Sequence, residues 1–186
     1  MFDTDKGQTL LHLARAVIAK ELGFIAHDLP RSDWLEEPGA TFVTLTLNGQ
    51  LRGCIGSLEA HRALIDDVRH NAVAAAFSDP RFDPLSKQEF ADVLVDVSLL
   101  SKPEPIFFSS EQDALAQLHP GKDGVILEYG HHRATYLPQV WAQLTDPQTF
   151  IAHLKNKAGL PQDFWSNDIR LSRYTVQKWR EGGTHG

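Results

Sequence analysis

Apolar residues recur every three to four positions in two long stretches of the chain, which is the spacing of one helix face. The first stretch covers about residues 7–23 and ends at Gly23. The second covers residues 61–77 and must end before Pro80, because the residue before a proline disfavours helical backbone. Its alanine-rich part, residues 72–76, would let this helix lie close to a sheet. Two helices that each bury one face are therefore predicted.

Between these helices, two stretches suited to strands flank Asn48–Gly49, the preferred pair for a two-residue type I′ turn. The pattern predicts a β-hairpin. If the loop holds only those two residues, Leu45 faces Arg52 and Val43 faces Cys54. Opposed residues share a face of the sheet. We therefore expect Arg52 and Cys54 to project from the same side as Val43 and Leu45.

The rest of the chain alternates between short strands and short helices. Residues 93–101 are apolar on both faces, which is typical of a buried central strand. Residues 124–137 predict a second hairpin and residues 169–179 a late strand, while Ser86 and Glu89 predict a capping box. Two hairpins exclude a wholly parallel sheet. We therefore expect an α+β fold with a mixed or antiparallel β-sheet packed by helices.

Charge and hydropathy limit the classes of partner. The chain has 186 residues, with 18 Lys and Arg against 24 Asp and Glu, for a formal net charge of −6. This balance disfavours nucleic-acid binding. No apolar run approaches the roughly 20 residues of a membrane span. The amino-terminal segment carries acidic residues early and begins an amphipathic helix, so we do not expect it to be a secretory signal. We therefore expect a cytoplasmic protein without a membrane partner.

The metal-binding and redox residues are few. Cys54 is the single cysteine, which excludes an internal disulfide and a zinc site of several cysteines. The nine histidines show no ligand spacing, so we expect no metal and no cofactor. At the carboxyl terminus, we expect residues from about 182 to 186 to form a disordered tail.

Several segments carry a resemblance to a known family. They include LRGCIGSLEA at 51–60, DPRF at 79–82 and KAGL at 157–160, in order along the chain. Together they resemble the AMMECR domain family, whose prokaryotic members are called AmmeMemoRadiSam system protein A, over roughly residues 7–180. One departure is Asp96, where the family commonly has a glutamate.

The resemblance implies one AMMECR-type domain over residues 1–186, with an α+β fold of two unequal lobes and a cleft between them. It also implies a cytoplasmic protein. Its implied partners are a Memo-like protein, related to extradiol dioxygenases, and a radical SAM enzyme. It implies no particular reaction.

Cys54 and Arg52 are the candidate chemical groups. A thiol needs activation to act as a nucleophile at neutral pH. Arg52 would lie about 6.5–7 Å away along the same strand face, where a guanidinium could stabilise a thiolate and bind a carboxylate or phosphate. The alternative is that Cys54 is a small core residue.

The neighbouring glycines and the DPRF segment have two interpretations each. Gly53 and Gly56 could let a ligand approach the backbone, or could serve a bulge and a strand end. Asp79 and Arg81 could contact a substrate, although an ion pair that pins their turn is favoured.

Asp96 is a carboxylate inside the predicted central strand, which is costly unless the group is paired. Arg52 or Arg81 is the expected partner. The pair would form a polar site at the cleft or a sealed structural ion pair. Asn71, at the edge of the apolar stripe of its helix, is expected to satisfy neighbouring backbone groups.

Two hypotheses follow, and they leave open whether the protein is an enzyme. In the first, a cleft lined by Arg52, Cys54, Asp79, Arg81 and Asp96 acts on a small anionic substrate. In the second, the chain is a non-catalytic binding or scaffold subunit that works with the Memo-like protein and the radical SAM enzyme.

Overall fold

The computed structural model describes residues 2–25 and 28–182, which form an α+β fold. The helices are α1 (Phe2–Glu21), α2 (Leu64–Phe77), α3 (Lys87–Phe90), α4 (Glu111–Ala116) and α5 (Pro147–Lys157). The strands are β1 (Ala40–Leu47), β2 (Gln50–Gly56), β3 (Leu94–Leu100), β4 (Glu104–Ile106), β5 (Gly124–Tyr129), β6 (His132–Tyr136), β7 (Arg170–Tyr174) and β8 (Val176–Arg180). The predicted fold class is confirmed.

The chain divides into two compact units, and each has its own sheet. Unit 1 consists of Met1–Leu100 and Gln177–Gly186, and unit 2 of Ser101–Val176. Sheet 1 has the strand order β2-β1-β3-β8 and sheet 2 the order β4-β7-β5-β6. Every strand pair whose register is described is antiparallel. The single domain implied by the resemblance stays a prediction.

Sheet 1 has two chemically different faces. Its inner face carries Val43, Leu45, Val95 and Val97, which are fully buried in one core with α1 and α2. Because successive strand residues point to opposite sides, the neighbouring residues of β1, such as Thr44, lie on the other side. We call this second side the outer face.

The β1–β2 hairpin turns at Asn48–Gly49 as predicted, but its register differs. Thr46 pairs with Leu51 and Leu45 pairs with Gly53, so Arg52 is the extra residue of a β-bulge. Beyond the bulge, Cys54 pairs with Thr44. The prediction that Cys54 shares a face with Val43 and Leu45 is therefore wrong, and Arg52 does not have its predicted pairing with Leu45.

The late strand is the other correction to the predicted elements. The alternating stretch 169–179 is two strands, β7 in sheet 2 and β8 in sheet 1, which are separated at Thr175. The capping box at Ser86 and Glu89 is confirmed, since each side chain accepts from the other residue's backbone N–H. The part of the predicted tail that follows Gly182 lies outside the described residues.

Unit 2 packs α4 and α5 around its own core. Asp146 caps α5 by accepting from the backbone N–H of Thr149 at 3.1 Å. Trp141 stacks on Phe150 with 3.8 Å between ring centroids, and its indole N–H donates to the backbone carbonyl of Asp123 at 2.7 Å.

Within the described part of the chain, no helix is long and apolar enough to cross a membrane.

Candidate functional site

A row of three polar side chains crosses the outer face of sheet 1. Thr44 on β1 pairs with Cys54 on one side and with Asp96 of β3 on the other. The Cys54 Sγ lies 3.2 Å from the Thr44 Oγ1. Cys54 is half-buried and lies on the side of the sheet opposite the core. Its interpretation as a core residue is therefore wrong.

Asp96 is 1% exposed and is held by two cations of β8. Arg180 donates to both carboxylate oxygens, Nε to Oδ1 and Nη2 to Oδ2, at 2.9 Å each. The Lys178 Nζ lies 3.4 Å from Oδ2. The hydrogen bond to Asp96 raises the pKa of Arg180 above its ordinary value. The predicted partners, Arg52 and Arg81, are thus replaced by cations from the last strand.

The Arg52 side chain is hydrogen-bonded to α3 and to the loop that precedes it. Its Nε donates to Glu89 Oε2 at 2.7 Å, and its Nη2 donates to Glu89 Oε1 at 3.1 Å and to the backbone carbonyl of Asp83 at 2.8 Å. The hydrogen bond from Arg52 lowers the pKa of Glu89 to about 2. The same bond raises the pKa of Arg52. These bonds hold the guanidinium to Glu89, so the structure does not make it the partner of the Cys54 thiol.

One nitrogen of the Arg52 guanidinium lowers the stability of the fold. Its Nη1 is buried and, among the residues that the structure describes, has no hydrogen-bond partner. A buried donor without a partner costs about 1–3 kcal/mol. The pairing with Glu89 offsets this penalty, which fits a structural role for Arg52.

Asp79 and Arg81 complete the free edge of β2. The Cys54 backbone N–H donates to Asp79 Oδ2 at 3.0 Å, and Arg81 Nη2 donates to the Cys54 carbonyl at 3.4 Å. Arg81 also donates to Asp79 through Nε at 3.0 Å and Nη2 at 2.8 Å. The hydrogen bond from Arg81, followed by that from Cys54, holds the pKa of Asp79 well below its usual range. The predicted ion pair is present, and it occupies edge groups that would otherwise be unpaired.

Gly53 and Gly56 serve close packing. A Cβ on Gly53 would collide with the backbone oxygen of Ala75 in α2, and one on Gly56 would collide with the ring of Phe42. The space above both glycines is therefore filled by this chain. Of the two interpretations, the structural one describes both positions.

A buried network around Asp67 was missed by the sequence analysis. Its Oδ2 accepts from the Thr41 N–H and Oγ1 at 2.7 Å each, and its Oδ1 accepts from Ser57 at 2.6 Å and Arg62 at 2.9 Å. Asn71 donates to the Thr41 carbonyl at 3.0 Å, as its predicted structural role requires. The spacing of Asp67 and Asn71 on one helix face was the available signal.

Two further features limit the possible chemistry. Among the described residues, no group of three or more His, Cys, Asp or Glu side chains could hold a metal ion. A groove of about 710 Å³ runs along α1, but none of the predicted site residues lines it. The outer face thus combines a thiol and a hydroxyl with a buried carboxylate and its two cations.

Comparisons with known proteins agree over almost the whole chain. The family model described as AMMECR1 matches residues 11–179. A protein from Methanothermobacter thermautotrophicus is 38% identical over 186 residues, covering 96% of this chain and 96% of that protein. One from Sulfolobus acidocaldarius is 37% identical over 188 residues, covering 96% and 83%. The crystal structure of an uncharacterised protein from Pyrococcus horikoshii matches with a TM-score of 0.73 and 32% identity, covering 95% of this chain and 91% of that one.

Proposed function

This chain belongs to the AMMECR1 family, and on that premise we propose that it is a non-catalytic binding subunit of a modification system. Its partners in this proposal are a Memo-like protein and a radical SAM enzyme, and its location is the cytoplasm. The proposal depends on one observation, the two hydrogen bonds between Arg52 and Glu89. They give the guanidinium of the RGCIG segment a structural partner within this chain.

The other charged residues of the family segments support the same conclusion. Asp79 and Arg81 bind each other and the backbone of Cys54. Among the described residues, the hydrogen-bonding partner of the Cys54 thiol is the Thr44 hydroxyl, which is not a general base at neutral pH. The charged residues of these segments therefore pair along the edge of sheet 1, and the group that is hydrogen-bonded to the thiol is not a general base.

The outer face also offers an apolar contact. Leu51 and Leu94 both pair with Thr46 and so flank it on the two neighbouring strands. Their exposed fractions are 42% and 44%. We call Leu51, Thr46 and Leu94 the leucine patch. Exposed apolar side chains that cluster on one face are typical of a protein-binding surface.

The test of the proposal is reconstitution of the complex. The full chain is mixed with the Memo-like protein and the radical SAM enzyme, separately and together, and analysed by size-exclusion chromatography at several salt concentrations. We expect a stable complex with at least one partner and no turnover by this chain alone. Failure to bind either partner at every salt concentration would overturn the proposal.

A second function, thiol chemistry on a small anionic substrate, is favoured by one observation. Cys54 is half-buried on the outer face rather than sealed in the core. This candidate predicts rapid labelling of the native protein by a thiol reagent, and loss of the activity of the reconstituted system in Cys54→Ser with the fold retained. Labelling that requires denaturant, or unchanged activity in Cys54→Ser, would remove it.

A further inference from the structure

Strand β8 presents two cations on the outer face of sheet 1. Trp179 is 5% exposed and belongs to the core of unit 1, so its neighbours Lys178 and Arg180 point to the opposite side. Their side chains are 54% and 52% exposed. Both cations can therefore contact a molecule in solution while they remain at the Asp96 carboxylate.

The charges at this point do not balance. The Arg180 Nη2 lies 2.9 Å and the Lys178 Nζ 3.4 Å from the same oxygen, Oδ2 of Asp96. One carboxylate neutralises one of the two cations, and the group as a whole keeps a positive charge. Asp96 holds together two cations that would otherwise repel each other. The result is a preformed pair of donors with excess positive charge.

We infer that Lys178 and Arg180 form a binding site for the phosphate or carboxylate group of a small molecule. Arg180 uses two of its five guanidinium N–H donors on Asp96, and the ammonium group of Lys178 supplies three donors. Charge-assisted hydrogen bonds from such a pair suit either anion. The inference stands apart from the proposed partner complex, because it concerns the isolated chain.

A purely structural ion pair is the alternative, and it makes a different prediction. Arg180 alone already satisfies both oxygens of Asp96, so strand pairing does not require Lys178. With a purely structural ion pair, the NMR shifts would change with ionic strength whichever anion is added. A binding site would respond to a particular anion in a saturable way, and would lose affinity when Lys178 is replaced.

The experiment is a titration of the full chain with inorganic phosphate and, separately, with succinate. Amide signals are followed by two-dimensional NMR, with sodium chloride used to keep the ionic strength constant. We expect saturable shifts at β8 and β3 with at least one of the two anions. Saturation by phosphate alone assigns a phosphate group, whereas saturation by succinate alone assigns a carboxylate.

Two variants and a matched control decide the location. Lys178→Gln keeps both hydrogen bonds of Arg180, and we expect it to weaken the affinity at least fivefold. Arg180→Gln should weaken the affinity further. If Arg180→Gln does not fold, the location of the site is decided by Lys178→Gln alone. Arg69→Gln removes an exposed cation of unit 1 that lies 3.9 Å from Asp66, and should leave the affinity unchanged. No saturable binding of either anion, or equal affinity in Lys178→Gln and the unmodified chain, would overturn the inference.

Discussion

The Cys54 backbone N–H donates a hydrogen bond to the Asp79 carboxylate at 3.0 Å. Asp79 is 4% exposed, and Arg81 donates to the same carboxylate through Nε and Nη2. Since β2 is an edge strand of sheet 1, the DPRF turn replaces a missing neighbouring strand at this position. The RGCIG and DPRF segments are thus joined by a structural contact.

Asp79→Asn should destabilise the protein by about 1–3 kcal/mol, because it removes the charge of a buried group that accepts several hydrogen bonds. The measurement is urea-induced unfolding of the full chain, followed by circular dichroism. Asp83→Asn is the matched control, since Asp83 is an exposed carboxylate in the same loop. Its effect should stay within about 0.5 kcal/mol. Equal stability of the two variants would contradict this role of Asp79.

The Arg52–Glu89 pair predicts a loss of stability at acid pH. The pKa of Glu89 is lowered from 4.5 to about 2, so its ionised form is favoured by folding. Its contribution to the free energy of unfolding is complete above about pH 4.5 and is lost as the pH falls towards 2. In Glu89→Gln, and to a smaller extent in Arg52→Gln, the dependence of stability on pH in this range should be shallower. Denaturant unfolding at half-unit steps of pH measures it, and an unchanged slope in Glu89→Gln would refute the assignment.

Gly53→Ala should be strongly destabilising, because the new methyl group would meet the Ala75 backbone oxygen and force β2 away from α2. Overpacking of this kind costs typically 1–3 kcal/mol. Gly49→Ala serves as the comparison. Gly49 has open space around it and a φ of +79°, so its replacement costs only backbone strain, of order 1 kcal/mol. The midpoints of thermal unfolding should therefore fall in the order unmodified chain, Gly49→Ala, Gly53→Ala.

The predictable parts of the fold are those set by local sequence. The Asn48–Gly49 turn and the capping box of α3 each depend on residues a few positions apart. The bulge at Arg52 was not predicted from the turn sequence, and Gly53 beside it packs against the Ala75 backbone of α2, a contact between residues far apart in the chain. One inserted residue reverses the side to which Cys54 points, and the predicted pairing of Val43 with Cys54 failed for that reason.

The candidate site residues lie within the described part of the chain, but the partner predicted for Asp96 was wrong. Its partner, Arg180, comes from β8, more than eighty positions away. The late alternating stretch predicted one strand, whereas its two halves belong to different sheets. Such long-range pairings are set by tertiary packing, which the spacing of apolar residues does not specify.

The most direct test of the proposed function compares two leucines of unit 1 that are equally exposed. Leu51, in the leucine patch, and Leu58, outside it, are both 42% exposed. Affinity for the Memo-like protein and the radical SAM enzyme is measured by isothermal titration calorimetry for Leu51→Glu and Leu58→Glu. We expect at least a tenfold loss of affinity in Leu51→Glu and little change in Leu58→Glu. Equal affinities in the two variants would contradict binding through the outer face of sheet 1.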